Sequence, residues 1–231
     1  MSLVIFRGPM FASKSKSLFS RLSHMMDLFP EKRALVVASK KDTRGKETTG
    51  DINDPEIYDF TNGSCSPDLN NVITSHSSLF KGIPNGVRCL IRSLRLEQVN
   101  VADYDIIAIE EGQFFDDLAE IVQYWVDGLG KHVLLSALDT NWKREIFGQV
   151  HFCESIATEA YKLTANCKYC IRELGSNVNM ESLPIASFTA RKCDSLEEVL
   201  PGGSDEYEAT CRKHHPYSRK ISEKVIAEHS S

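Results

Sequence analysis

The sequence predicts an α/β protein: a parallel sheet with helices on both faces, followed by a small cysteine-rich appendage. Three observations lead there. Short, continuously apolar, β-branched runs recur along the first part of the chain, as strands covered on both faces require. Between them lie stretches with apolar residues at helical spacing, and strand, helix, strand at this rhythm implies crossover units and parallel pairing. After Gly148 the apolar runs stop, and Cys, Arg, Lys and Gly become dense.

Each element follows in order. Leu3-Val4-Ile5-Phe6 is the first strand, and Gly8-Pro9 ends it. Lys14 to Leu28 is a helix, because Leu18, Leu22, Met25 and Met26 recur on one side. Ala34-Leu35-Val36-Val37-Ala38 is a second buried strand, apolar throughout instead of alternating. The polar stretch from Gly45 to Leu69, punctuated by Gly50, Pro55, Gly63 and Pro67, reads as a long surface loop or a weak hairpin. Ile106-Ile107-Ala108-Ile109 and Val133 to Leu138 are two more buried strands. Between them Asp116 to Leu129 reads as a helix with Leu118, Ile121, Val122 and Trp125 on one face. At 231 residues the chain is about one and a half times a typical domain. A boundary near residue 155 therefore divides it into an α/β unit, 1–155, an appendage, 156–217, and a flexible charged tail, 218–231.

Composition narrows the function. Hydrophobic residues at 42% and charged residues at 26% belong to an ordinary globular protein, not a disordered one. The net charge of −5 lacks the basic excess that drives sequence-independent binding to nucleic acid, so no nucleic-acid partner is expected. No apolar run approaches the roughly 20 residues of a membrane span, and Met1 leads directly into a strand without a charged leader. A cytoplasmic protein without a membrane partner is expected. Seven cysteines, an odd number, then argue for metal ligands and free thiols over a disulfide frame.

Gly8-Pro9-Met10-Phe11-Ala12-Ser13-Lys14-Ser15 follows a strand and opens a helix, the context of a phosphate-binding loop. Successive backbone N–H groups and the helix N-terminus cradle phosphates, the lysine reaches the outer phosphate oxygens, and the hydroxyl ligates Mg²⁺. ATP with Mg²⁺ is the expected ligand. Ser13 stands where such loops carry a second glycine, a position often at positive φ, where a side chain costs roughly 1–2 kcal/mol; reduced nucleotide affinity is expected. Glu110-Glu111 ends the strand begun at Ile106, and open parallel sheets bind ligands at the carboxyl ends of their strands. One carboxylate suits hydrated Mg²⁺ and the other suits a proton leaving an attacking hydroxyl. Gly112-Gln113-Phe114-Phe115 then offers a flat apolar wall for a ring.

Cys167-Lys168-Tyr169-Cys170 and Cys211-Arg212-Lys213-His214 are two hooks, each offering two donors with two residues between them. That is the bite of a tetrahedral zinc site, and four protein ligands make it structural. His215 competes with His214 for the fourth place. Cys65, Cys89, Cys153 and Cys193 remain as free thiols.

Taken together these residues resemble the thymidine kinases of the cellular and poxviral type. The resemblance runs from Leu3 to about Tyr217 through Gly8-Pro9-Met10-Phe11, Lys41-Asp42-Thr43-Arg44, Glu111-Gly112-Gln113-Phe114-Phe115, Ala137-Leu138-Asp139, Phe147-Gly148, Lys162-Leu163-Thr164-Ala165, the two hooks and Gly202-Gly203-Ser204-Asp205-Glu206-Tyr207. It implies transfer of the ATP γ-phosphate to the 5′-hydroxyl of thymidine, in deoxynucleoside salvage, by a homo-oligomer, typically a tetramer. By position it implies that the loop, with Lys14 and Ser15, holds the triphosphate and Mg²⁺. Asp42 and Arg44 serve the acceptor side, with Arg44 near the transferred phosphate, and Glu111 is the general base. Met10, Gln113, Phe114, Phe147 and Trp142 line the nucleoside pocket, Trp142 standing where the family usually has phenylalanine. A lasso between the hooks closes over the base, with backbone near Leu200 and Gly202 and with Tyr207.

Two positions depart from the family, Ser13 and Glu110, the latter in place of an aspartate linked to Mg²⁺. Both fall on the nucleotide side, so a catalytically weak, kinase-like binding or oligomer subunit is the alternative expectation.

Overall fold

The computed structural model describes residues 1–42, 53–59, 84, 86–177, 179–193 and 202–218. A seven-stranded sheet forms its centre, built from β1 (Ser2–Gly8), β2 (Ala34–Ser39), β3 (Glu56–Asp59), β4 (Cys89–Ser93), β5 (Ile106–Glu110), β6 (His132–Leu138) and β7 (Glu159–Lys162). Its order is β3-β4-β2-β5-β6-β1-β7, parallel throughout except for β3, which lies antiparallel at the edge.

Helices cover both faces. On one, α1 (Lys14–Leu28) buries Leu18, Phe19 and Leu22 against Val4, Phe6, Val36, Ala108 and Leu134. Full burial of one such leucine is worth about 1.5–3 kcal/mol, more than helix propensity contributes at any single position, so this apolar stripe is what anchors α1. On the other face, α2 (Leu118–Gln123), a π turn (Tyr124–Gly128) and α3 (Val150–Ser155) pack Leu118, Val122, Trp125, Val150 and Cys153 onto Leu3, Ile5, Ile107 and Leu135.

The structure departs from the sequence reading in three places. β3 and β4 pair where only a loop or weak hairpin was expected up to Leu69, and β4 itself went unread because Arg88 and Arg92 bracket its short apolar run. The helix expected over Asp116 to Leu129 is a six-residue α-helix that widens into the π turn. The sheet also continues past residue 155, since β7 hydrogen-bonds along β1 and the chain leaves it only at Lys162.

The appendage holds β8 (Ala165–Asn166), α4 (Lys168–Leu174), β9 (Ile185–Ala186), β10 (Phe188–Arg191) and β11 (Tyr207–Thr210). β8 pairs with β9, and β10 with β11, both antiparallel. Its apolar cluster is small, Ala165, Cys167, Ala186 and Ala209 packed with Ala12 of the phosphate loop, and α4 buries no residue. So little apolar area calls for a cross-link of another kind.

Candidate functional site

The phosphate loop begins where β1 stops. Gly8 has φ 153°, and a Cβ there would lie 2.3 Å from the Leu163 carbonyl oxygen, so only glycine fits. Ser13 lies in the left-handed region at φ 59°, ψ 30°, the conformation expected of the glycine it replaces, and Phe11 shares it at φ 65°. The buried Lys14 turns its Nζ back to donate to the Pro9 carbonyl at 2.9 Å. Ser15 Oγ donates to Glu110 Oε2 at 2.8 Å, joining the helix start to the end of β5.

Glu110 is 3% exposed. Burial, and after it the neighbouring Glu111 carboxylate, push its pKa up to about 7, against the opposing pull of the Ser15 and Ser136 hydroxyls and the Lys14 ammonium. Its second oxygen, Oε1, is buried without a hydrogen-bond partner. An orphaned carboxylate oxygen beside the loop hydroxyl fits a hard divalent cation reached directly or through water. The extra methylene of glutamate over aspartate therefore leaves the acid in reach of the loop.

Glu111 is itself left-handed, at φ 52°, ψ 47°. Gln113, 2% exposed, secures it: Nε2 donates to Glu111 Oε2 at 2.6 Å while Oε1 accepts from the Leu138 backbone N–H at 2.9 Å. Gly148, at φ 64°, lets the backbone pass so close to Gln113 that a Cβ would meet its carbonyl oxygen at 2.4 Å. Sequence reasoning placed Gln113 in the nucleoside pocket. Its amide also holds Glu111 against the end of β6.

The residues expected to line the nucleoside ring gather in two groups. Phe114 and Phe147 meet edge to face with centroids 5.6 Å apart. Trp142 meets Tyr217 edge to face at 5.8 Å, and the guanidinium carbon of Arg191 lies 4.6 Å from its ring centroid. Arg191 Nη2 donates to Tyr207 Oη at 2.9 Å. The Met10 backbone N–H donates to Thr189 Oγ1 at 2.9 Å, so the loop is stitched to β10. Asp42 follows β2, its N–H donating to the Ser39 carbonyl at 3.3 Å and its own carbonyl accepting from Arg92 Nη2 at 3.3 Å. Gly202 packs against Glu206, where a Cβ would lie 2.4 Å from Cγ. Arg44, Leu200, Cys65 and the tail beyond Ser218 lie outside the described residues.

The two hooks converge. The donor atoms of Cys167, Cys170, Cys211 and His214 all lie within 4.8 Å of one another. His214 Nδ1 is 3.3 Å from the Cys170 and Cys211 sulfurs and 3.6 Å from that of Cys167, and the Cys170 and Cys211 sulfurs are 3.6 Å apart. A tetrahedral zinc separates such donors by about 3.5–3.8 Å, given its bond lengths to sulfur and nitrogen. This group can hold a metal ion. Burial opposes ionisation of the Cys167 thiol, but the backbone N–H groups of Cys170 and Cys211 and the His214 ring outweigh it and pull the pKa down to about 7. His214 Nε2 faces Glu173 Oε1 at 3.0 Å, the carboxylate contact that orients a ligating imidazole. His215 is no competitor: it is fully buried, with Nε2 at 3.1 Å from the Thr189 carbonyl and Nδ1 accepting from the Tyr217 N–H.

Sequence reasoning missed Thr189, Arg191 and Glu173. Only Glu173 left a signal, an acid three residues after the second cysteine of the first hook and so on the same side of α4. Thr189 and Arg191 become visible only once β10 and β11 are paired.

A mostly parallel sheet of this order, with a strand-to-helix loop after β1 and an acid at the end of β5, two strands away across β6, is the P-loop α/β kinase fold. The sequence pattern of the thymidine kinase family matches residues 1–215, and the chain belongs to that family. It is 29% identical over 208 residues to the cytosolic thymidine kinase of Homo sapiens, spanning 90% of this chain and 70% of that protein. Over 214 residues it is 29% identical to the thymidine kinase of Fowlpox virus (strain NVSL), spanning 92% and 95%. Thymidine kinase 1 of Dictyostelium discoideum is 31% identical over 211 residues, 90% of this chain and 74% of that protein. The family is one of phosphotransferases, and the alternative expectation of a silent binding subunit is not favoured. Among the described residues no helix is long and apolar enough to cross a membrane.

Proposed function

We propose that the chain is an ATP-dependent thymidine kinase, transferring the γ-phosphoryl group to the 5′-hydroxyl of thymidine. The observation that carries the proposal is the convergence of Ser15 on the buried, half-satisfied Glu110 at the mouth of the loop, within a chain whose family is thymidine kinase.

The loop from Gly8 to Ser15 holds the triphosphate, Lys14 exchanging its bond to the Pro9 carbonyl for phosphate oxygens. Ser15 and Glu110 hold Mg²⁺, which when bound neutralises charge on the phosphates. Glu111 accepts the 5′-hydroxyl proton as that oxygen bonds to the γ-phosphorus and the bond to the ADP oxygen breaks. Gln113 keeps the base aimed, and Asp42 and Arg44 complete the acceptor side. Met10, Phe114, Phe147 and Trp142 line the thymine pocket, the backbone near Leu200 and Gly202 bonds the base edge, and Tyr207 closes it. Cys167, Cys170, Cys211 and His214 would hold a structural zinc, which would pin the two ends of the closing segment, and exclusion of water would strengthen the phosphate electrostatics. A cytoplasmic homotetramer is the assembly proposed.

Turnover of thymidine with ATP and Mg²⁺ by purified protein tests this. Glu111→Gln should lower kcat by about 10²–10⁴-fold. Wild-type turnover no greater than that of the variant would reject the proposal.

A further inference from the structure

We propose that Arg191 is a positioning residue for the nucleoside, clamping Trp142 of the α/β unit to Tyr207 of the appendage so that the two walls form one rigid pocket. The inference rests on the thymidine kinase reading and extends it to a residue outside the family motifs quoted above.

The register of the β10–β11 ladder sets Arg191 directly opposite Tyr207, so their side chains leave the same face of the hairpin as neighbours. Arg191 is 7% exposed and Tyr207 8%. A guanidinium withdrawn that far from water is costly unless other groups replace the water. Tyr207 Oη does so along the plane, accepting from Nη2 at 2.9 Å. The indole does so through its π electrons, with Cζ 4.6 Å from the Trp142 centroid and 5.3 Å from that of Tyr207, both inside the range for cation–π attraction. One planar cation thus sets the distance and tilt between a ring carried by the loop after β6 and a ring carried by β11.

A base stacking in such a pocket needs its walls in place beforehand, because ordering them on binding would subtract from affinity. Lysine at 191 keeps the charge but not the plane, and so satisfies only part of this role. Catalysis itself is left to Lys14, Ser15 and Glu111, so the clamp should act on thymidine affinity alone.

The test compares wild type with Arg191→Met, Arg191→Lys and Tyr207→Phe, using steady-state kinetics and thymidine titration followed by tryptophan fluorescence. Trp142 reports the pocket while Trp125 is buried in the core. Arg191→Met should raise the thymidine KM and Kd about tenfold, with kcat and the ATP KM within about twofold of wild type. Arg191→Lys should recover part of the loss, and Tyr207→Phe should raise the thymidine KM about threefold. In a Trp142→Ala background Arg191→Met should add less than about twofold, because the partner of the clamp is already gone. A thymidine KM unchanged in Arg191→Met, an equal rise in the ATP KM, or the full tenfold effect persisting without Trp142 would overturn the proposal. Should Arg191→Met not fold, Arg191→Lys and Tyr207→Phe decide, and an unchanged thymidine KM in both overturns it. A wild type that binds thymidine without turnover would fail the kinase reading while the Kd comparison still judged the clamp; a wild type that binds no thymidine would overturn both.

Discussion

At the strand ends, functional groups are held in unfavourable states: Ser13 and Glu111 in left-handed backbone, Glu110 buried with one oxygen unpartnered. Among the described residues of the appendage no non-glycine backbone is left-handed, α4 buries nothing, and four donors come within 4.8 Å of one another. The difference follows from what each region can lean on. The sheet is covered on both faces by leucine, isoleucine and valine, a surplus of burial large enough to sustain a left-handed serine at roughly 1–2 kcal/mol. The appendage has alanines and a cysteine. If its four donors hold a metal ion, its order should vanish with the metal while the sheet survives.

The largest expected effect tests that asymmetry. Cys167→Ser, or removal of metal by a chelator, should abolish thymidine binding and expose the appendage to proteolysis, leaving the cooperative melting of the α/β unit in place. Loss of both together would mean that the two regions are one cooperative unit. Metal analysis should find one tightly bound zinc per chain in wild type, and none would dissolve the contrast.

Next is Glu110. Its folded pKa of about 7 lies above the ordinary 4.5, so the folded chain keeps a proton that the unfolded chain releases. The resulting stabilisation is fully present below about pH 4.5 and is lost as pH rises through 7, amounting to roughly 3 kcal/mol at the limit. In magnesium-free buffer, wild type should therefore lose stability relative to Glu110→Gln between pH 5 and 8, as read by urea denaturation. Parallel curves for the two proteins would show that burial does not hold the proton there.

A smaller effect is expected at Glu173, which contacts the outer nitrogen of His214 at 3.0 Å. Glu173→Ala should weaken zinc about 10-fold or more in competition with a chromophoric chelator, without touching the ATP KM. The smallest is Ser13→Gly, which exchanges left-handed strain for the greater chain entropy of glycine. The net gain of about 1 kcal/mol should raise Tm by roughly 2–4 °C and lower the apparent ATP KM, and a fall in Tm would show that the loop accommodates serine without strain.

Much of the fold was legible because its signals are local. The runs at Leu3, Ala34, Ile106 and Val133 are continuously apolar, and α1 runs over the predicted residues, Lys14–Leu28. β4 was not legible, since five residues that include Arg92 and follow Arg88 gain strand character only from β2 and β3 on either side. Ser13 was legible in a stronger sense, because a phosphate loop needs positive φ at that place whatever residue fills it. Glu110 was legible as an acid at a strand end but not as one whose pKa is raised to about 7, a property of the depth at which β5 buries it.

By itself the sequence determined the four continuously apolar strands, the first helix, the phosphate loop and the donor types of both hooks, because each depends on residues a few positions apart. Tertiary structure alone chose His214 over His215, assigned Gln113 to Glu111, and brought Arg191 between Trp142 and Tyr207. Those outcomes depend on which side chains meet across elements far apart in the chain, and only the packed sheet and the paired hairpin bring them within a few ångströms of one another.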